Sequence, residues 1–166
     1  EFTFQEKEGG IAEALGLCED FAAGDDIAVI LGDNTTDASI KQAVDLFTTG
    51  AKVFLREVPD PTRFGVPVFT KNDPKKIEKI IEKPKNPPNN LAVVGLYLYD
   101  KNVFKAVRSI KPSSRGELEI TDVNNWYAKK GELSWEMLGG FWSDAGTFES
   151  LYRSGAYWAE KLDKGK

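Results

Sequence analysis

Five consecutive apolar residues, Ile27-Ala28-Val29-Ile30-Leu31, run without interruption into Gly32-Asp33-Asn34. A strand that is apolar on both faces needs cover on both, the situation of a central parallel strand in an α/β sheet. A helical pattern precedes it. Ile11, Ala14, Leu15, Cys18 and Phe21-Ala22 recur along one helix face from Ile11 to Ala23, and Gly24 closes that segment. Further upstream, Phe2 to Glu6 alternates apolar and polar residues as a short strand and is broken by Gly9-Gly10. Strand, helix, strand is the order of a βαβ unit.

The rest of the chain continues in the same style. A helix is expected over Ser39–Thr48 and strands over Ala51–Glu57, Phe64–Thr70, Lys76–Glu82 and Leu91–Tyr99, with a loop at Pro84–Asn90 where Pro87-Pro88 blocks helix. Helices are expected over Lys101–Ser109 and Glu119–Lys129, then a strand over Glu132–Met137. Thr147 reads as the N-cap of a last helix through Lys161, with Glu149 suiting its dipole. The expected fold is α/β: a mixed, mainly parallel sheet flanked by helices, in one domain over residues 1–166. The sequence opens without Met, inside an expected strand, so it reads as a piece of a longer protein.

Composition narrows the chemistry. There is no histidine, which removes Ser-His triads, HExxH zinc sites and imidazole bases, and leaves carboxylates as the metal ligands, favouring Mg²⁺. A net charge of -4 argues against nucleic acid as a partner. No run approaches the roughly 20 apolar residues of a membrane span, and nothing reads as a signal peptide. A lone cysteine, Cys18, on the apolar helix face, fits a reducing, cytoplasmic setting. Lys75-Lys76, Lys129-Lys130 and the tail from Lys161 to Lys166 read as solvated surface, and Phe47, Phe54, Tyr97, Tyr99, Trp135 and Trp158 as core or interface.

Asp33 lies just past the carboxyl end of the apolar strand, where α/β folds place ligands, and is the first candidate for a Mg²⁺ ligand; a solvated turn explains it equally well. Asp144, in Trp142-Ser143-Asp144-Ala145-Gly146-Thr147, precedes a helix start and points to a phosphate-linked role or, more simply, a capping turn. Glu82-Lys83-Pro84 pairs a group that holds hydroxyls with one that holds phosphate, or is a solvated strand end. Gly65 and Gly95 interrupt strands, a mark of close ligand approach or of a bulge. Gly10, with Gln5 as an amide donor and acceptor, suits a planar base, or a tight turn.

Taken in order, Phe4-Gln5-Glu6-Lys7-Glu8-Gly9-Gly10-Ile11-Ala12-Glu13-Ala14, Leu31-Gly32-Asp33-Asn34, Arg63-Phe64-Gly65-Val66, Glu82-Lys83-Pro84, Val94-Gly95-Leu96-Tyr97, Arg115-Gly116-Glu117-Leu118-Glu119-Ile120-Thr121-Asp122 and the Trp142 to Thr147 segment resemble the glucose-1-phosphate thymidylyltransferase family, within the sugar-nucleotide pyrophosphorylases. The resemblance implies a nucleotide-diphospho-sugar transferase fold, Rossmann-like, lacking the first βα unit with its glycine-rich loop. It implies joining of a nucleoside triphosphate, dTTP, to glucose 1-phosphate to give dTDP-glucose and pyrophosphate, without a covalent enzyme intermediate.

By the same resemblance, Asp33 and Asp144 bind the metal and Lys83 the sugar phosphate. Glu82 and Gly65, with Gly95 beside them, hold sugar hydroxyls, and Gln5 and Gly10 read the base. The family pattern also implies a homo-oligomer and little or no turnover by this chain alone. Val94 stands where a threonine is usual, Pro67-Val68 where Val-Glu is common, and Thr35-Thr36 where an apolar-Phe pair is usual. The alternative is a non-catalytic homologue that binds a nucleotide-sugar or serves as an assembly subunit.

Overall fold

The computed structural model describes residues 1–164; the last two residues of the lysine-rich tail lie outside the described residues. In chain order the elements are α1 (Ile11–Gly16), α2 (Glu19–Ala22), β1 (Ile27–Ile30), β2 (Asn34–Thr36), α3 (Lys41–Asp45), β3 (Ala51–Glu57), a 3₁₀ turn (Pro61–Arg63), β4 (Gly65–Thr70), β5 (Asp73–Glu82), β6 (Leu91–Tyr99), α4 (Val103–Ser109), α5 (Ile120–Lys130), β7 (Leu133–Met137), β8 (Trp142–Asp144) and α6 (Phe148–Lys164).

The main sheet has six strands in the order β5-β4-β6-β3-β7, with β1 also on β6. It is a mixed sheet flanked by helices, the α/β class expected. Within the described residues its parallel part is the β3–β7 pair, while β6 runs antiparallel to β1, β3 and β4. Ile27 to Leu31 is therefore not a central parallel strand here: β1 lies antiparallel to β6, and its alternate residues Ala28 and Ile30 are exposed. The strand that is covered on both faces is β6. Its Val93, Tyr97 and Tyr99 pack toward α4 and α5, and its Val94, Leu96 and Leu98 pack with Ala43, Phe54 and Leu138 on the other side. Each large apolar side chain so enclosed contributes on the order of 1.5–3 kcal/mol.

The pairing of β6 positions the site. One of its edges carries β3. The other carries β1 from Leu96 to Tyr99 and meets β4 at Val93. The two strands part around Gly95, leaving a fork. A second, two-stranded sheet stands at that fork: β2 and β8 pair antiparallel, with Asn34 opposite Asp144 and Thr36 opposite Trp142.

Other sequence expectations are corrected. Phe2 to Glu6 is not a strand; no strand partners it, and Phe2 and Phe4 are exposed. The helix expected from Ile11 to Ala23 breaks at Leu17-Cys18 into α1 and α2, with Ala23 in the left-handed region at φ 50°. Ser39–Thr48 contracts to the five residues of α3. β2 and β8 went unread because three-residue strands carry too little periodicity.

The Thr147 cap is present. Its Oγ1 accepts from the Ser150 amide at 3.1 Å while the Ser150 hydroxyl accepts from the Thr147 amide at 3.0 Å, a reciprocal capping pair. The helix it starts, α6, is seated through buried Ser150 and Ser154, and presents Phe148, Leu151, Tyr152 and Leu162 outward. A second exposed apolar strip follows the open edge of β1, where Phe21 and Ile30 stand beside Cys18 and Val29 in a groove of about 370 Å³. No helix among the described residues is long and apolar enough to cross a membrane.

Candidate active site

The fork beside Gly95 holds a cavity of about 210 Å³. Six of the eight residues singled out in the sequence line it: Asp33, Asp144, Lys83, Glu82, Gly65 and Gly95. Arg63, Asn34, Thr121 and Trp142 complete the polar wall.

Asp33 sits in the turn between β1 and β2, closed by the Asn34 amide donating to the Leu31 carbonyl at 3.0 Å. Its own carbonyl accepts from the Ala145 amide at 2.6 Å, which ties the turn to the end of β8. Asp144, only 8% exposed, ends β8. Both carboxylates reach over Gly146: a Cβ there would stand 3.3 Å from Asp144 Oδ2 and 3.7 Å from Asp33 Oδ2. The missing side chain at Gly146 leaves a cradle between two anionic groups. Mg²⁺ takes oxygen ligands and leaves part of its shell to water and phosphate. A pair of carboxylates facing each other over a glycine fits that requirement. No cluster of three or more acidic, histidine or cysteine ligands occurs among the described residues, so the pair alone would not complete a metal shell.

Asn34 organises this corner. Its Oδ1 accepts from the Gly95 amide at 3.0 Å and from Trp142 Nε1 at 2.8 Å, and its Nδ2 donates to Asp33 Oδ1 at 2.8 Å. A Cβ on Gly95 would fall 2.5 Å from Asn34 Nδ2 and 2.8 Å from Leu31 Cδ1. The room left by Gly95 is thus filled by Asn34, not by open cavity.

On the opposite wall, Glu82 Oε2 accepts from the Thr121 hydroxyl, and Lys83 Nζ lies 4.0 Å from Glu82 Oε1. A Cβ on Gly65 would be 3.0 Å from Ile80 Cγ2 and 3.3 Å from Thr121 Oγ1, so that glycine admits these two side chains, with Glu82 Oε2 at an ordinary 3.6 Å. Lys83 is held in the left-handed region at φ 43°, with its amide donating to the Phe64 carbonyl at 3.0 Å and Pro84 buried behind it. A non-glycine residue in that region costs energy and marks a position fixed by its surroundings. Its side chain is 48% exposed.

A neighbouring cavity of about 670 Å³ shares Glu82, Lys83 and Thr121 and adds Lys85 and Arg115. Arg115 is bound by acids, with Nη2 2.9 Å from Glu119 Oε2 and 3.2 Å from Glu117 Oε2. The Glu119 hydrogen bond raises the Arg115 pKa, so the guanidinium stays charged.

Gln5 and Gly10 are not brought into the cavity lining. Gln5 Nε2 donates to the Gly10 carbonyl at 3.2 Å and to Glu13 Oε2 at 2.6 Å, and Gly10, at φ 95°, has the Leu118 carbonyl where a Cβ would stand, 2.5 Å away. Their neighbour Ile11 does line the cavity. Sequence reasoning missed Arg63, Asn34, Thr121 and Trp142 as participants. Each lies inside a segment already singled out, but side-chain partners far along the chain are invisible to spacing.

The chain is similar to known proteins along most of its length. The family model described as nucleotidyl transferase matches residues 1–161. Among curated proteins, a glucose-1-phosphate thymidylyltransferase of Neisseria meningitidis is 40% identical over 163 residues, covering 94% of this chain and 56% of its own length. That of an Actinoplanes species is 40% identical, covering 100% and 55%. The chain thus spans about half the length of these relatives, 55–56%. Among solved structures, a Bacillus anthracis protein described as a glucose-1-phosphate thymidylyltransferase, in complex with sucrose, superposes at a TM-score of 0.86 with 51% identity, over 95% of this chain and 64% of that one. UDP-glucose pyrophosphorylase in complex with UDP-glucose superposes at 0.84 with 26% identity, over 96% and 66%. With a family model over nearly its whole length and a relative at half identity on the same fold, this chain belongs to the nucleotidyl transferase family.

Proposed function

We propose that this chain carries the cation- and sugar-phosphate-binding part of a nucleotidyltransferase that joins dTTP to glucose 1-phosphate, giving dTDP-glucose and pyrophosphate. The observation that carries the reading is the meeting of Asp33 and Asp144 over Gly146 in the cavity that Lys83 also lines. The likeness to thymidylyltransferases supports dTTP and glucose 1-phosphate as the substrates.

Asp33 and Asp144 would hold Mg²⁺, which when bound neutralises the phosphates between which the bond is exchanged. Lys83, a point charge on the cavity wall, binds and orients the sugar phosphate so that its oxygen faces the α-phosphorus in line. Glu82, anchored by Thr121, which Gly65 admits, accepts from sugar hydroxyls. Gln5 and Gly10 remain candidates for the base; they lie outside the cavity lining and are bonded to each other next to Ile11, which lines it. No side chain needs to form a bond with the substrate. The chain works as one partial nucleotidyltransferase domain in the cytoplasm, and we propose that it self-associates, covering the apolar strip along β1.

The test is to mix the chain with dTTP, glucose 1-phosphate and Mg²⁺ and to follow pyrophosphate. Very slow or no release, with a melting temperature raised by dTDP-glucose, is expected of a partial site. Release at ordinary enzyme rates would overturn the partial reading. No release and no shift with any nucleotide-sugar would favour the assembly-subunit alternative.

A further inference from the structure

Arg63 stands on Asp144 where a cation would stand. Its Nη2 lies 2.7 Å from Asp144 Oδ2, the carboxylate oxygen that also reaches over Gly146. The same Nη2 is 4.0 Å from the Cβ position of Gly146, so guanidinium and both carboxylates converge on one spot. The backbone of Arg63 is fixed: it ends the 3₁₀ turn that Asp60 caps by accepting from the Thr62 amide at 3.1 Å. Its head is freer, 42% exposed against 11% for the Asp144 side chain, and rests 5.4 Å over the Phe64 ring.

Two carboxylates aimed at one point repel unless a positive charge lies between them. A guanidinium and a divalent ion sharing Asp144 Oδ2 face each other as like charges at contact distance, so each weakens the other's hold on that oxygen. We infer that Arg63 is an exchange counter-ion for the cation. It neutralises Asp144 while the cradle lacks its ion, holds the carboxylate toward Gly146, and yields Oδ2 when the ion arrives. Arg63 is thereby a positioning residue that sets how tightly the cation binds, and the inference rests on the cation reading of Asp33 and Asp144.

The experiment titrates Mn²⁺ into wild type and Arg63→Gln, Arg63→Lys, Asp33→Asn and Asp144→Asn variants, reading affinity by calorimetry and bound Mn²⁺ by electron paramagnetic resonance. Arg63→Gln is expected to bind Mn²⁺ about twofold to fivefold more tightly, the scale of a half-exposed ion pair. Arg63→Lys should stay near wild type, and Asp144→Asn should weaken binding. In chelator Arg63→Gln should melt below wild type, and added Mg²⁺ should close the gap; a purely structural arginine would give a lower melting point that Mg²⁺ leaves in place. In wild type the Arg63 guanidinium ¹⁵N resonances should move during a Mg²⁺ titration, a readout that needs no variant to fold. Unchanged or weaker binding by Arg63→Gln, with Asp33→Asn still harmful, overturns the exchange alone. Mn²⁺ binding indifferent to both aspartates overturns the cation reading and the exchange with it.

Discussion

Asn34 is the cross-strand partner of Asp144 in the ribbon of β2 and β8, so the turn carrying Asp33 and the strand ending in Asp144 are locked in register. Asn34 adds three side-chain hydrogen bonds, to the Gly95 amide, to Trp142 and to Asp33. The two acids are brought together by a backbone pairing and one amide side chain, far from each other in sequence.

Gly95→Ala follows from that arrangement. The added methyl would enter the space of Asn34 Nδ2 and Leu31 Cδ1. Asn34 is too well tied to yield freely, so a loss of about 1–3 kcal/mol is expected, in the range of overpacking. Denaturant melts of the two proteins measure it. A neutral result would mean that Asn34 is not held as described.

Lys83 separates stability from binding. At φ 43° a lysine is strained and a glycine is not. Lys83→Gly is therefore expected to melt at or above wild type, gaining up to about 1 kcal/mol, whereas Lys83→Gln keeps the strain. Both should weaken glucose 1-phosphate about tenfold to a hundredfold, the scale of a charge-assisted hydrogen bond, as calorimetry reads it. Unaltered sugar-phosphate affinity in both would remove Lys83 from the site.

Asp100 contributes to acid stability. Burial raises its pKa, but the Gly50 amide, the Tyr127 hydroxyl and Asn102 outweigh that and hold it below the ordinary 3.8. Oδ2 accepts from the Gly50 amide at 2.8 Å and Oδ1 from the Tyr127 hydroxyl at 2.8 Å. A depressed folded-state pKa gives stability that is full above the unfolded value and is lost as pH falls through the folded one. Asp100→Asn should cost roughly 1–3 kcal/mol at neutral pH, and its deficit relative to wild type should shrink below about pH 4. A deficit independent of pH would contradict the charge-based account of this residue.

The longer strands were legible because their apolar runs exceed a few residues: Ala51–Glu57 and Leu91–Tyr99 are β3 and β6 to the residue. β1 was placed correctly but paired wrongly, since an apolar run reports burial and not the direction of its neighbour. Asp33, Glu82 and Lys83 were recognisable because each lies at or just past the end of an expected strand, where side chains meet ligands, and Asp144 because a glycine turn and a helix start follow it. Arg63 was passed over because its partner, Asp144, is distant in sequence and ordinary in type. Glycine was ambiguous in the same way. Gly65 makes room for Ile80 and Thr121, Gly95 for Asn34 and Leu31, and nothing in the sequence around either glycine distinguishes them.

The convergence of Asp33 and Asp144 on one cation is open to a single test, a Mn²⁺ titration of the ¹⁵N-labelled chain followed by paramagnetic broadening of backbone amides. The amides of Asp33, Asn34, Ala145 and Gly146 should vanish first in wild type and persist at the same Mn²⁺ concentration in Asp33→Asn and Asp144→Asn. Broadening that begins elsewhere, at Asp25-Asp26 or Asp122 for instance, and ignores both substitutions would contradict it.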